Sequence, residues 1–163
     1  MKRFLLVLIM TFLATLALAQ TGLLGLYYGE SFYYARKNLE DKGYLLINNQ
    51  SVIKQFGIDP APSIYLVDLY VNPSTSTIVG WTLHYNEGLS EDAQRQVLNE
   101  CISLHGKEYN VMEEENMIGW HLSDTRSMLI GCDKGGNLSV AVYYDDDYTY
   151  IFNQGEEQDK YKN

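Results

Sequence analysis

Residues 63–85 read SIYLVDLYVNPSTSTIVGWTLHY, and this stretch decides the fold. Two runs rich in β-branched and aromatic residues flank Asn72-Pro73-Ser74-Thr75-Ser76. In the second run Val79, Trp81, Leu83 and Tyr85 alternate with Ile78, Gly80, Thr82 and His84. Residues two apart share one face of a strand, so an antiparallel hairpin with one strongly apolar face is expected. That face needs a cover. Helix-like segments ending in glycine lie on both sides of the hairpin, at 31–43 and at 90–106.

Working outward, 22–28 reads as a short leading strand. Ser31 is placed to cap a helix whose Phe32, Ala35 and Leu39 form an apolar stripe, and Gly43 is placed to stop it. Strands are expected at 44–47 and 52–56. After the hairpin the pattern starts again. Ser90 precedes a helix with Glu91 and Asp92 in its first turn and Ala93, Val97, Cys101 and Leu104 on its buried side. Strands follow at 109–112 and 117–122. A second hairpin joins 127–133 to 137–144 across Lys134-Gly135-Gly136. A further exposed strand is expected near 148–152, and a polar, frayed tail from 154 to 163.

Two independent landmarks repeat. Gly43 and Gly106 are 63 residues apart, and the hairpin starts Ser63 and Ser127 are 64 apart. The agreement points to repeats at 29–88 and 89–153 within one domain at 20–153. The expected fold is α+β: an antiparallel sheet of about eight strands from two helix-plus-four-strand repeats, with the helices packed on one face. This order of cap-to-glycine helices and paired hairpins resembles the beta-lactamase-inhibitor-protein-like fold of small exported proteins. Members often carry two helices per repeat, where this chain shows one. The resemblance implies an inhibitor-like, protein-binding role by analogy of fold.

The chain has 163 residues, 46% of them apolar and 20% charged, which is a globular composition. The formal charge is −9, and Lys and Arg are scattered rather than striped, which argues against a nucleic-acid partner. Residues 1–19 have the three parts of a secretory signal peptide: Lys2-Arg3, an apolar run, and Ala17-Leu18-Ala19 before Gln20. The run of about 15 apolar residues falls short of the roughly 20 that span a bilayer. Cleavage would remove Lys2 and Arg3, take the charge from −9 to −11, and leave an exported, periplasmic or extracellular protein without a membrane span. An oxidising compartment permits a Cys101–Cys132 disulfide, worth about 3–4 kcal/mol for a loop of this length, and two buried free thiols are the alternative.

If Cys132 faces the helices, so should Met128, Ile130, Leu138, Val140, Val142, Tyr144, Ile118 and Trp120. The opposite face then carries Asp68, Tyr70, Thr82, His84, His121, Ser139 and Tyr143. Tyr offers large contact area at low entropy cost, so Asp68, Tyr70, His84, His121 and Tyr143 are the candidate binding residues. Asp145-Asp146-Asp147 reads as a solvated turn rather than a calcium site, and the three histidines show no zinc spacing. No nucleophile elbow, phosphate loop or dinucleotide fingerprint is present, so no catalytic residue, metal or cofactor is assigned. The sequence therefore points to a binding module. Its partner is expected to be another protein, with a glycan-binding surface or a small hydrolase as alternatives.

Overall fold

A computed structural model describes residues 21–60 and 62–160, and for 155–160 the backbone only. The segment at 1–19 expected to be a signal peptide and the last three residues of the tail lie outside the described residues. Helix α1 (Phe32–Asp41) precedes strands β1 (Leu45–Asn49), β2 (Ile53–Gly57), β3 (Ile64–Asn72) and β4 (Thr77–Tyr85). Helix α2 (Glu91–His105) precedes β5 (Asn110–Met112), β6 (Met117–His121), β7 (Arg126–Cys132) and β8 (Leu138–Asp145). A third helix, α3 (Thr149–Lys160), ends the described chain. All eight strands form one antiparallel sheet in the order β1-β2-β3-β4-β8-β7-β6-β5. The fold is α+β with an eight-stranded sheet, as the sequence leads one to expect. Each helix-led half makes a four-stranded meander, and the halves meet where β4 pairs with β8.

Local chemistry accounts for the turns and helix ends. Ser90 Oγ accepts the N–H of Ala93 and caps α2, whereas Ser31 makes no such side-chain bond and instead bridges to Thr77. In the β7–β8 turn the Asp133 carboxylate accepts the N–H groups of Gly135 and Asn137 at 2.7 and 2.9 Å. The bonds from Asn137 come first in holding that carboxyl below its ordinary range.

Helices α1 and α2 cover one face. Ala35, Leu39 and Cys101 pack there against Phe56, Val67, Leu69, Trp81, Leu83, Met128 and Tyr143. The expected leading strand is instead a 3-10 turn at Leu23–Gly25 whose neighbours Leu26 and Tyr28 are also buried in this core. Tyr28 stands 5.0 Å from Trp81 and donates its hydroxyl hydrogen to the Tyr144 carbonyl at 3.0 Å. The Arg126 guanidinium lies over the Tyr28 ring and pairs with buried Asp145 at 2.8 Å. The first aspartate of the Asp145-Asp146-Asp147 run is thus an interior partner, not part of a solvated turn.

Expectations about the faces and about one element are corrected. An extra residue, Val79, bulges from β4, because Val71 pairs with Ile78 and Tyr70 with Gly80. Ile78 therefore joins Trp81 in the main core, and Val79 turns to the other face. A second shift in β8, between the Cys132–Leu138 and Gly131–Val140 pairs, sends Val140, Val142 and Tyr144 to the far face. It also brings Tyr143, expected on the open face, into the core beside Trp81. Finally, the segment expected as an exposed strand near 148–152 is helical, being a 3-10 turn that leads into α3.

The cysteines are unbridged. Cys101 is buried beside Tyr85 and Tyr143, while Cys132 lines an opening between α2 and the sheet together with Val97 and Leu98, which precede Cys101 on the helix by four and three residues, about one turn. Among the described residues no helix is long and apolar enough to cross a membrane.

At the centre, Trp81 and Tyr143 stack with ring centroids 4.4 Å apart. The Tyr143 oxygen accepts the Leu23 N–H at 3.1 Å and shares a 2.9 Å hydrogen bond with His105 Nε2. His105 Nδ1 is buried and meets no partner among the described residues. Burial pushes the imidazole from its ordinary 6.5 down to about 4.

Two outcomes follow. A Cβ at Gly22 would stand 2.4 Å from the Trp81 ring and 2.6 Å from Tyr143. Gly22→Ala should cost about 1–3 kcal/mol in urea unfolding through overpacking. The unfolded chain protonates His105 near pH 6.5 while the folded chain resists until about pH 4. This contribution is therefore complete above pH 6.5 and is lost as pH falls toward 4, by on the order of 1–2 kcal/mol after allowing for solvent screening. Stability measured between pH 7 and 5 should fall less steeply in His105→Gln than in the parent.

Candidate binding surface

Helix α3 divides the second face of the sheet. Ile151 is fully buried against Val52, Ile53 and Val79. The Phe152 ring lies 4.3 Å from Tyr70 and fills the space over Gly80, where a Cβ would meet it at 2.4 Å. Thr82, Val142 and Tyr144 border this helix. Toward the other ends of β1, β3 and β4 the face is uncovered.

A line of hydrogen-bonded side chains crosses the sheet there. Asn48 Nδ2 on β1 donates to Gln55 Oε1 on β2 at 2.9 Å, and Gln55 Nε2 donates to Asp68 Oδ1 on β3 at 3.0 Å. Asp68 Oδ2 meets His84 Nε2 on β4 at 2.8 Å. Pairing of Asn48 with Gln55 and of Gln55 with Asp68 sets the line, and His84 is one diagonal step further. Asp68 is only 8% exposed, so both of its oxygens need these partners. An ionised carboxylate only accepts, so Nε2 of His84 carries the hydrogen, and in the neutral ring Nδ1 is left as an acceptor.

Exposed apolar groups lie beside this line. Ile47 is the extra residue where β1 shifts register between Leu46 and Asn48, and Tyr65 is the extra residue between Ile64 and Leu66 in β3. Both bulges aim a side chain at the uncovered half. Ile47 reaches over Gly57, where a Cβ would stand 3.3 Å from its Cδ1. Leu45, opposite Gly57, is 69% exposed, Ile47 63% and Tyr65 42%. The Tyr65 ring centroid is 6.1 Å from that of His84. A broad cleft continues from Tyr65 and His84 past Asn86 and Glu87 to Ser139 and Val140 on β8.

Of the candidate residues, the structure brings Asp68 and His84 together. Tyr70 shares their face but packs under Phe152. His121 lies on β6, with β8 and β7 between it and β4, or roughly 14 Å of strand spacing. It meets Ser127 Oγ at 3.5 Å. Tyr143 is buried on the opposite face and cannot serve an open surface. Sequence reasoning missed Asn48, Gln55, Leu45, Ile47 and Tyr65. Tyr65 is a bulge residue that alternation back from Val67 and Leu69 assigns to the core face, and the bulge at Ile47 reverses the alternation of β1 before Asn48. Among the described residues no group of three or more His, Cys, Asp or Glu side chains could hold a metal ion. None of the family models, curated proteins or solved structures with which the chain was compared matches it.

Removing the Asp68 carboxylate leaves the Gln55 amide and the His84 ring without their shared acceptor. Asp68→Ala should lower unfolding free energy by about 1–3 kcal/mol. A double-mutant cycle with His84→Ala should show coupling of at least about 0.5 kcal/mol between the two positions.

Proposed function

We propose that the protein is an exported binding module without chemistry of its own, and that a protein partner docks on the uncovered half of the second sheet face. The observation that carries this reading is the pairing of exposed Leu45, Ile47 and Tyr65 with the hydrogen-bonded line from Asn48 to His84. Aromatic and aliphatic anchors beside polar groups held rigid by their neighbours are the usual make-up of a protein-binding patch. Strands β3 and β4 beneath Tyr65, Asp68 and His84 are paired on both sides and edge strand β1 is paired with β2, so little ordering would be needed on binding. Export rests on the leader-like segment at 1–19. Asp68 and His84 orient the centre of the patch, and Tyr65 and Ile47 supply contact area.

A glycan is the second reading. A tyrosine ring beside His84, Asn86, Glu87 and Ser139 offers a stacking surface and hydroxyl-matching groups in one cleft. The two readings separate at Ile47, which lies outside that cleft. A protein captured at one-to-one stoichiometry by the intact exported chain should lose at least about tenfold in affinity with Tyr65→Ala and again with Ile47→Lys. Saccharide binding that responds to Tyr65→Ala and ignores Ile47→Lys would replace the protein reading. Unchanged affinity for the captured protein in both folded variants would remove this surface from consideration.

A further inference from the structure

The helix-covered face holds a separate opening. The N-terminal half of α2 does not close down on the sheet, and an apolar pocket of about 260 Å³ lies between them. Its walls are Val97 and Leu98 from α2, Ile118 from β6, Ile130 and Cys132 from β7, and Leu138 from β8. The cause is a polar strut. The Leu138 N–H donates to Gln94 Oε1 at 2.9 Å, while Gln94 Nε2 is tied to the Leu89 carbonyl at 3.0 Å. Both ends of the Gln94 amide are thereby committed, and the helix is held off the end of β8. At the mouth stands Arg95, the one charged side chain among the described lining residues. Arg95 meets Asp92 at 3.4 Å, and both side chains are well exposed, so the guanidinium has donors to offer a ligand.

We propose that this pocket binds a single-chain amphiphile with a carboxylate head: the chain lies among the aliphatic walls and the head meets Arg95. Interiors are normally packed to crystal density, and an apolar cavity of about 150 Å³ accepts a benzene ring. By proportion, the space here suits a chain of roughly eight to ten carbons. The walls offer no free polar partner to a bound ring or sugar, because Gln94 is already satisfied. The single cation at the rim sets the sign of the head group. The site lies on the face opposite the proposed partner surface and does not depend on it.

Cys132 reports on this pocket. It is a wall residue, whereas Cys101 is fully buried. Burial, and next the Asp133 charge, push the Cys132 thiol up, so alkylation is best followed near pH 8.5. The experiment is iodoacetamide labelling of Cys132 in the intact protein, read by peptide mass spectrometry, with decanoate added. Calorimetry of decanoate on the same protein runs beside it. Saturable protection of Cys132, with one decanoate bound per chain, is expected. Arg95→Gln should raise the half-saturating decanoate concentration about two- to fivefold and leave protection by decanol unchanged. Leu98→Trp, which fills the pocket, should abolish both. A chain-length series keeps the test independent of any variant: protection should rise from hexanoate to decanoate and fall for hexadecanoate. Neither protection nor heat with millimolar decanoate would overturn the proposal. Equal responses to decanoate and decanol, indifferent to Arg95→Gln, would overturn the anionic head group.

Discussion

The stack of Trp81 on Tyr143 is the contact on which the rest of the structure depends. It sits on the β4–β8 pairing, the one place in the sheet where the two meanders touch. Aromatic pairs of this kind contribute about 0.5–1.5 kcal/mol beyond the area they bury. Their greater effect here is to gather elements far apart in sequence. Gly22 passes against both rings, the Leu23 N–H reaches the Tyr143 oxygen, and His105 closes α2 onto the same atom. Tyr28 completes the cluster from below and carries Arg126 and Asp145 with it. The segment before α1, both halves of the sheet and the end of α2 are therefore fixed by one pair of rings.

Much of the architecture was legible in the sequence. Alternation in 63–85, the glycines after each helix and the Asp133–Asn137 turn are local signals, and local structure obeyed them. The faces were less legible, for a specific reason. A strand has a period of two, so each bulge reverses the assignment of everything beyond it. Ile47, Tyr65, Val79 and the shift near Ser139 each did this. The cost is clearest in β8, where the apolar residues Val140, Val142 and Tyr144 look like a core stripe, yet Ala141 and Tyr143 occupy the core. The disulfide expectation failed through the same dependence on position, since face alone does not set how far along α2 a strand residue arrives.

The candidate surface divides in the same way. Asp68 and His84 could be found because the pattern between Leu66 and Tyr70, and between Trp81 and Tyr85, is regular. Ile47 and Tyr65 could not, because a residue that bulges carries no mark in the sequence. Helix α3 escaped notice as well: Thr149, Tyr150, Ile151 and Phe152 have strand propensities, and tertiary packing of Ile151 and Phe152 overrides them. By covering Tyr70, Val79 and Gly80 it confines the open part of β3 and β4 to their opposite ends.

The strand order also constrains how the chain acquires its shape. β4 is complete at Tyr85, but its neighbour β8 begins at Leu138. Throughout synthesis of the second half, the most deeply buried strand of the protein has one unpaired edge. The first meander cannot be a finished unit, because its inner edge and the Trp81 ring wait for residues at the far end of the chain. Pairing at this seam closes a long loop, which slows assembly and leaves a sticky edge open meanwhile. In the proposed reading, in which the chain crosses a membrane before it folds, that delay is an advantage: the inner edge of β4 and the Trp81 ring cannot be closed in before the last strand has arrived.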